Sequence, residues 1–190
     1  MNPLLLALVL AQPPSPSRAV EPPPAACGSE RWLVKTLSDD KAANVKTMFP
    51  QASTIAAINA LEAHCDAEFE HAHEKTRVPL EFEVFEVLGR LTHDPIHEKD
   101  SDFHIPAADP NAPAETMIFE IPHPGCAEHS PLLAILKAVR AKALDAHLKK
   151  GMLIRVRGVA FYDLDHRQTG RSRSCLELHP VIDLEVVKEP

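Results

Sequence analysis

The order of apolar patterns from Pro79 to the C-terminus constrains this chain most. Leu80, Phe82 and Val84 alternate with Glu81 and Glu83, and the phase then slips at Phe85 and Val87 and again beyond Gly89. A phase slip beside a glycine predicts a long first strand bent by a bulge. A polar loop over His93–Lys99, a strand over Ser101–Ala107, a turn over Asp109–Pro113 and a strand over Thr116–Ile121 follow. In the last of these, Met117, Phe119 and Ile121 share one face. Ser130 then reads as a helix N-cap with Pro131 at the first helical position. Leu132, Ile135, Leu136, Val139 and Leu148 recur at near-helical spacing until Gly151. Two more strands are predicted, over Met152–Tyr162 and Leu176–Val187, with Pro180 marking an edge or a bend in the second.

Three strands, a helix and two strands, with a first strand long enough to join both sides of a closed sheet, is the order of an OB-type barrel. The expected class is therefore mainly β with helices (α+β): a five-stranded OB-like β-barrel ordered β-β-β-α-β-β, with an N-terminal helical extension. A generic α+β sandwich is the alternative. The expected division is a leader and Pro-rich linker over 1–26, an extension over 27–78 and the barrel over 79–190. Within the extension, Glu30–Leu37 reads as a short strand, and Ser53 or Thr54 caps a helix running to His64 with Ile55, Ile58 and Leu61 on one face. Cys65–Arg77 reads as a loop.

Leu4 to Ala11 form an apolar run, followed by a Pro- and Ser-rich stretch, with small residues suited to cleavage at Ala11, Ser17 and Ala19. The run falls far below the ~20 residues of a membrane span and reads as a secretory segment, although no Lys or Arg precedes Leu4. The expected location is thus exported, periplasmic or extracellular, with no transmembrane segment in the mature chain. Four cysteines, Cys27, Cys65, Cys126 and Cys175, contain no Cys-x-x-Cys pair. In an exported chain they read as disulfides, with three connectivities open. A net charge of −7 disfavours nucleic acid or an anionic membrane as partner. The partner expected is an unidentified ligand or protein.

Two groups of residues carry the candidate chemistry. Asp100, Asp102 and His104 alternate, as do Glu177 and His179, so each set lies on one strand face. Asp163, Asp165 and His166 add further donors. Asp102, His104, Glu177 and His179 form the candidate metal set, with a divalent ion as the possible cofactor. A solvated strand face would account for the same residues, because 11 histidines in a charged chain produce such neighbours. The second group, Arg167, Gln168, Thr169, Arg171 and Arg173, lies between the last two strands, where OB-folds bind ligands. Phe103 and Phe119 are candidate stacking surfaces and, equally, core residues. The functional expectation is an exported, non-catalytic binding or interaction module. The alternative is a metal-assisted hydrolase using the His/carboxylate cluster; no nucleophile motif, phosphate loop or His-Glu-x-x-His is present.

Four phrases, Cys27–Thr36 (CGSERWLVKT), Glu120–Cys126 (EIPHPGC), Phe161–Asp163 with His166–Gly170 (HRQTG), and Glu177–Val181 (ELHPV), resemble a group of uncharacterised secreted bacterial proteins. The resemblance spans most of residues 27–184 and implies export and a shared fold. It also implies a Cys27–Cys126 pair, which leaves Cys65 for Cys175. Where the group reads Asn-Gly before the ELHPV phrase, this chain has Ser174-Cys175, a departure that bears on the loop conformation there.

Overall fold

The computed structural model describes residues 21–165 and 168–188. The apolar run, the three cleavage candidates Ala11, Ser17 and Ala19, and the loop residues His166 and Arg167 lie outside them. Among the described residues, seven strands form one sheet: β1 (Gln51–Ala52), β2 (Val84–Leu91), β3 (Ile96–His97), β4 (Phe103–Ala108), β5 (Thr116–Ile121), β6 (Leu153–Tyr162) and β7 (Leu176–Val187). Five close a barrel in the order β2-β6-β7-β5-β4, and β4 returns to β2 through Arg90↔Ala108 and Leu91↔Ala107. All contacts between these five strands are antiparallel except β5–β7. A long helix over Leu133–Asp145, numbered α4 in chain order, connects β5 to β6. This is an OB-like barrel in strand order, pairing and helix position.

Strand parity builds the interior. Ile105 and Ala107 of β4, Met117, Phe119 and Ile121 of β5, and Leu176 and Leu178 of β7 enter one core with Val139 and Ala143 of α4. Phe103 and Phe119 are both core residues rather than stacking surfaces. The extension shares this core through Ile55 and Ile58, while Leu37, Ala42 and Val45 make a second cluster with Val84 and Val159.

Several local expectations are corrected. Glu30–Leu37 contains the helix α1 (Trp32–Lys35), not a strand, because Arg31 and Lys35 four residues apart both turn inward to buried carboxylates. The helix capped by Thr54 is only α2 (Ile55–Asn59); beyond it the chain turns toward the Cys65–Cys175 bridge, and His64 N–H donates to the Ser174 carbonyl. The expected loop over 65–77 holds α3 (Ala67–Ala72), where the Asp66 carboxylate accepts from Phe69 N–H; none of its residues is fully buried, which erases the apolar period. The polar loop over 93–99 contains β3.

Pro79–Phe82 is a 3-10 turn instead of the start of a bent strand, because the Glu81 side chain turns in to accept from Val78 N–H and to pair with Arg31. The register shifts fall on the β6–β7 pairing on either side of Gly158, and Pro180 occupies that irregularity inside a strand paired on both sides. In α4, Ser130 Oγ accepts from Leu132 N–H one turn ahead of the helix. Its end comes before Gly151, since His147 takes a left-handed φ of 47°.

The disulfides are Cys27–Cys126 and Cys65–Cys175. Cys175 has φ 59°, the left-handed region that a glycine would occupy freely, and its bridge ties this turn to Cys65.

Gly89 marks a close approach of β2 to the core floor. A Cβ there would meet Phe119 Cε2 at 2.8 Å and Ala107 Cβ at 2.9 Å. Gly89→Ala is expected to lower stability by about 1–3 kcal/mol in urea unfolding through overpacking; an unchanged midpoint would contradict this packing.

Candidate functional site

The residues of β4, β5 and β7 that do not enter the core meet on the outer face of the barrel. Antiparallel register sets His104 opposite Glu120, and the parallel pairing Phe119↔Leu178 brings β7 alongside β5. Asp102, His104, Glu120, Glu177 and His179 thereby form one patch. It is deeply buried: relative exposures are 0% for Asp102, 7% for Glu120, 2% for Glu177 and 0% for His179.

α1 covers it. Arg31 forms a two-pronged ion pair with Glu81 at 2.7 and 2.8 Å and lies over the Phe161 ring. One turn later, the Lys35 ammonium lies 3.1 Å from Asp163 and 5.4 Å from the same ring centroid. Trp32 Nε1 donates to the Cys126 carbonyl, and the Cys27–Cys126 bridge fastens this lid to the loop after β5. Arg31, Ser101 and Cys175 adopt left-handed φ values of 46°, 73° and 59° near the patch. Such conformations each cost on the order of 1 kcal/mol outside glycine and persist where surrounding contacts fix them.

A chain of short contacts runs through the patch. His104 Nδ1 lies 2.9 Å from Glu120 Oε1, Glu120 Oε2 lies 2.9 Å from His179 Nδ1, and His179 Nε2 lies 3.3 Å from Asp102 Oδ2. Only the first is aligned as a hydrogen bond; the His179 contacts have the separation of ion pairs without the direction of an N–H···O bond. Both oxygens of Asp102, both ring nitrogens of His179 and Oε2 of Glu177 are buried without a hydrogen-bond partner among the described residues. Buried polar groups are nearly always satisfied, so five such atoms gathered in one patch set it apart from the rest of the interior.

The electrostatics divide the carboxyl groups. Burial, followed by the charges of Glu120 and Asp100, pushes the Asp102 pKa well above the usual carboxylate range. Burial and the neighbouring Asp163 and Glu120 do the same to Glu177. For Glu120, burial acts upward too, yet contacts from His104 and His179 outweigh it and hold the carboxyl well below its ordinary value. His104 is pushed down by burial and carried upward on balance by Glu120. Burial opposes the charge on Lys35, but Asp163, Glu120, Glu177 and Asp102 together hold its pKa above the ordinary lysine value.

Asp102, Glu120 and His179 each offer a ligand atom, and these atoms lie within 4.8 Å of one another. Of the four metal candidates read from the sequence, Asp102 and His179 belong to this trio. His104 buttresses Glu120, and Glu177 lies beside the Lys35–Asp163 pair, whose charges shift its pKa. Glu120 and Lys35 carried no functional assignment in the sequence reading. The signal for Glu120 was its parity, opposite to Met117, Phe119 and Ile121, but placing it beside His104 required the cross-strand register.

The expected ligand loop is largely engaged with the protein itself. Gln168 Nε2 donates to Asp163 Oδ2 at 3.3 Å, Arg171 pairs with Asp165 at 3.1 Å, and Arg173 bonds the Asn59 carbonyl and Glu115, both at 3.3 Å. The backbone of Thr169 contacts His104, so the loop closes one side of the patch. A small cleft of about 200 Å³ lined by Gly28, Ser29, Glu30, Trp32, Lys35 and Asp100 leads from the surface to Lys35.

No family model matches the chain, and no curated protein matches it. Among solved structures, a complex of TiaS with tRNA and ATP aligns at TM-score 0.30 and 10% identity, over 76% of this chain and 33% of that one. Apo TiaS, a tRNA agmatidine synthetase, and a tRNA fluorescent labelling enzyme each align at TM-score 0.26 and 11% identity, over 62% of this chain and 32% of theirs. This chain thus spans about a third of the length of those proteins. Among the described residues no helix is long and apolar enough to cross a membrane. The two disulfides suit an oxidising compartment.

The pKa directions give opposite signs for two neighbouring substitutions. Glu120, depressed below its ordinary 4.5, contributes stability above that pH and loses it as pH falls through the folded value. His104, raised above 6.5, contributes fully below that pH and loses it as pH rises through its folded value. Asp102 and Glu177, raised in the fold, cost stability progressively as pH climbs from the unfolded carboxylate range toward their folded values. In chelator at neutral pH, Glu120→Gln is expected to cost about 3–5 kcal/mol, as for breaking a buried pair, while Asp102→Asn leaves stability unchanged or higher. Thermal unfolding from pH 4 to pH 9 checks both, and a strongly destabilised Asp102→Asn would contradict the assignment.

Proposed function

We propose that this protein is an exported, non-catalytic binding module whose OB-like barrel holds a divalent cation on the outer face of β4, β5 and β7, through Asp102, Glu120 and His179. The observation that carries the reading is the convergence of these three buried donors, with both Asp102 oxygens and both His179 nitrogens unbonded among the described residues.

Two carboxylates and an imidazole suit a borderline ion such as Zn²⁺ or Mn²⁺ better than the all-oxygen shells preferred by Ca²⁺ and Mg²⁺. Charge supports the same conclusion: the carboxyl groups of Asp102, Glu120, Asp163 and Glu177 gather around a single ammonium, that of Lys35. A bound dication would draw Asp102 into its ionised form and satisfy atoms that the fold leaves unbonded. His104, bonded to Glu120, would orient that ligand from behind, as outer partners do around metals. Burial under α1 favours a held ion over a hydrolytic one, since a catalytic metal needs an open position that substrate can reach.

Elemental analysis of the untagged full chain, expressed with its leader and dialysed against trace metals, is expected to find about one equivalent of Zn²⁺ or Mn²⁺ per chain. Chelator should lower its melting temperature. Asp102→Asn combined with His179→Asn should abolish both the metal and the chelator effect. A metal-free wild-type protein that neither takes up these ions in calorimetry nor responds to chelator would overturn the proposal.

A further inference from the structure

A second polar assembly, remote in role from the cation patch, lies where the chain enters the fold. Glu21–Ala26 runs as a strap without secondary structure along α4 and the loop after β5. Three anchors hold it. Arg140, almost wholly buried, grips the Glu21 carboxylate with Nε at 2.9 and 3.0 Å and Nη2 at 2.7 Å. His123 Nε2 donates to the Pro22 carbonyl at 3.1 Å, a tautomer fixed because Nδ1 accepts from Gly125 N–H. Ser101 Oγ donates to the Ala26 carbonyl at 2.8 Å.

Arg140 is built for this task from the protein side. Its Nη1 is fixed to the Ile121 carbonyl at 2.6 Å, and His97 Nδ1 lies 3.3 Å from Nη2, so the edge that remains is a preset two-pronged carboxylate receptor. Next to it a groove of about 1170 Å³ continues past the strap, walled by the prolines on one side and by Leu133, Lys137, Ala141 and Leu144 of α4 on the other. Three consecutive prolines carry no N–H and keep φ near about −65°, so such a segment is recognised through its rings and carbonyls. The contacts here have that form: carbonyl acceptors met by His123 and Ser101, and ring contact at Gly125, where a Cβ would meet Pro24 at 3.0 Å.

We infer that the surface of Arg140, His123 and Ser101, continued by the adjoining α4 groove, is a peptide-recognition site for an extended segment with a carboxylate side chain ahead of prolines, and that Glu21–Ala26 is the tethered occupant of its Arg140 end, displaceable by such a segment from a partner protein. The partner's carboxylate would take the place of Glu21 on Arg140, and its apolar continuation would lie along Leu133, Ala141 and Leu144. A tethered strap acts at high effective concentration, so the intact chain binds a competitor weakly until its own anchor is removed.

The test uses the full chain and a fluorescent peptide, Glu-Pro-Pro-Pro-Ala-Ala, read by anisotropy. Glu21→Gln is expected to tighten peptide binding at least about tenfold over wild type, through loss of the competing charge-assisted contact. A peptide with Gln in the first position should bind neither chain, and Arg140→Gln in the Glu21→Gln background should lose binding. If Arg140→Gln fails to fold, Lys137→Glu, an exposed lining residue, should weaken the peptide severalfold in its place. Absence of peptide binding to the Glu21→Gln chain, or binding indifferent to the peptide's carboxylate, overturns the inference. So does a Glu21→Gln chain that dimerises instead, which would mean that the strap exchanges between copies.

Discussion

The lid over the barrel depends on the charged layer buried between α1 and the outer face of β4, β5 and β7. An OB-like barrel has no difficulty filling its interior with Ile105, Phe119 and Leu178. Its outer face is another matter, because Asp102, His104, Glu120, Glu177 and His179 emerge there and α1 takes them out of water. Burying several carboxylates is costly unless each is paired, so the lid must bring positive charge. Arg31 and Lys35 do this from one helical turn, pairing with Glu81 and Asp163 while both cover Phe161. The Cys27–Cys126 bridge, joining residues 99 apart in sequence, limits how far that lid can depart.

This arrangement explains why the barrel was legible in the sequence while its surface was only half so. β5 and β7 begin and end where the apolar pattern places them, since each turns apolar residues toward the core. α1 was hidden because its inward residues are Arg31 and Lys35, which an apolar pattern assigns to solvent. α3 was hidden because it buries no residue fully and leaves no stripe to read. Glu81 was read as the polar phase of a strand, although it is fully buried and bends the chain into a turn.

The site was legible to the extent that spacing within one strand can show it. Asp102 with His104, and Glu177 with His179, announced themselves at i, i+2. Glu120 did not, because its place depends on which residue of β4 it faces, and register is a property of the closed sheet. The loop arginines show the same limit in the other direction, since composition does not show which groups of the protein itself they meet. Arg171 and Arg173 have the composition of a ligand contact, but the protein's own acidic groups, Asp165 and Glu115, engage them.

The cation site itself is best probed by anomalous X-ray scattering from crystals of the untagged chain, grown without chelator and recorded on both sides of the zinc and manganese edges. One peak is expected among Asp102, Glu120 and His179, at roughly 2.0–2.3 Å from their donor atoms. A map without that peak, in which the Asp102 and His179 atoms are instead hydrogen-bonded to ordered water or to Lys35, would contradict a cation held there.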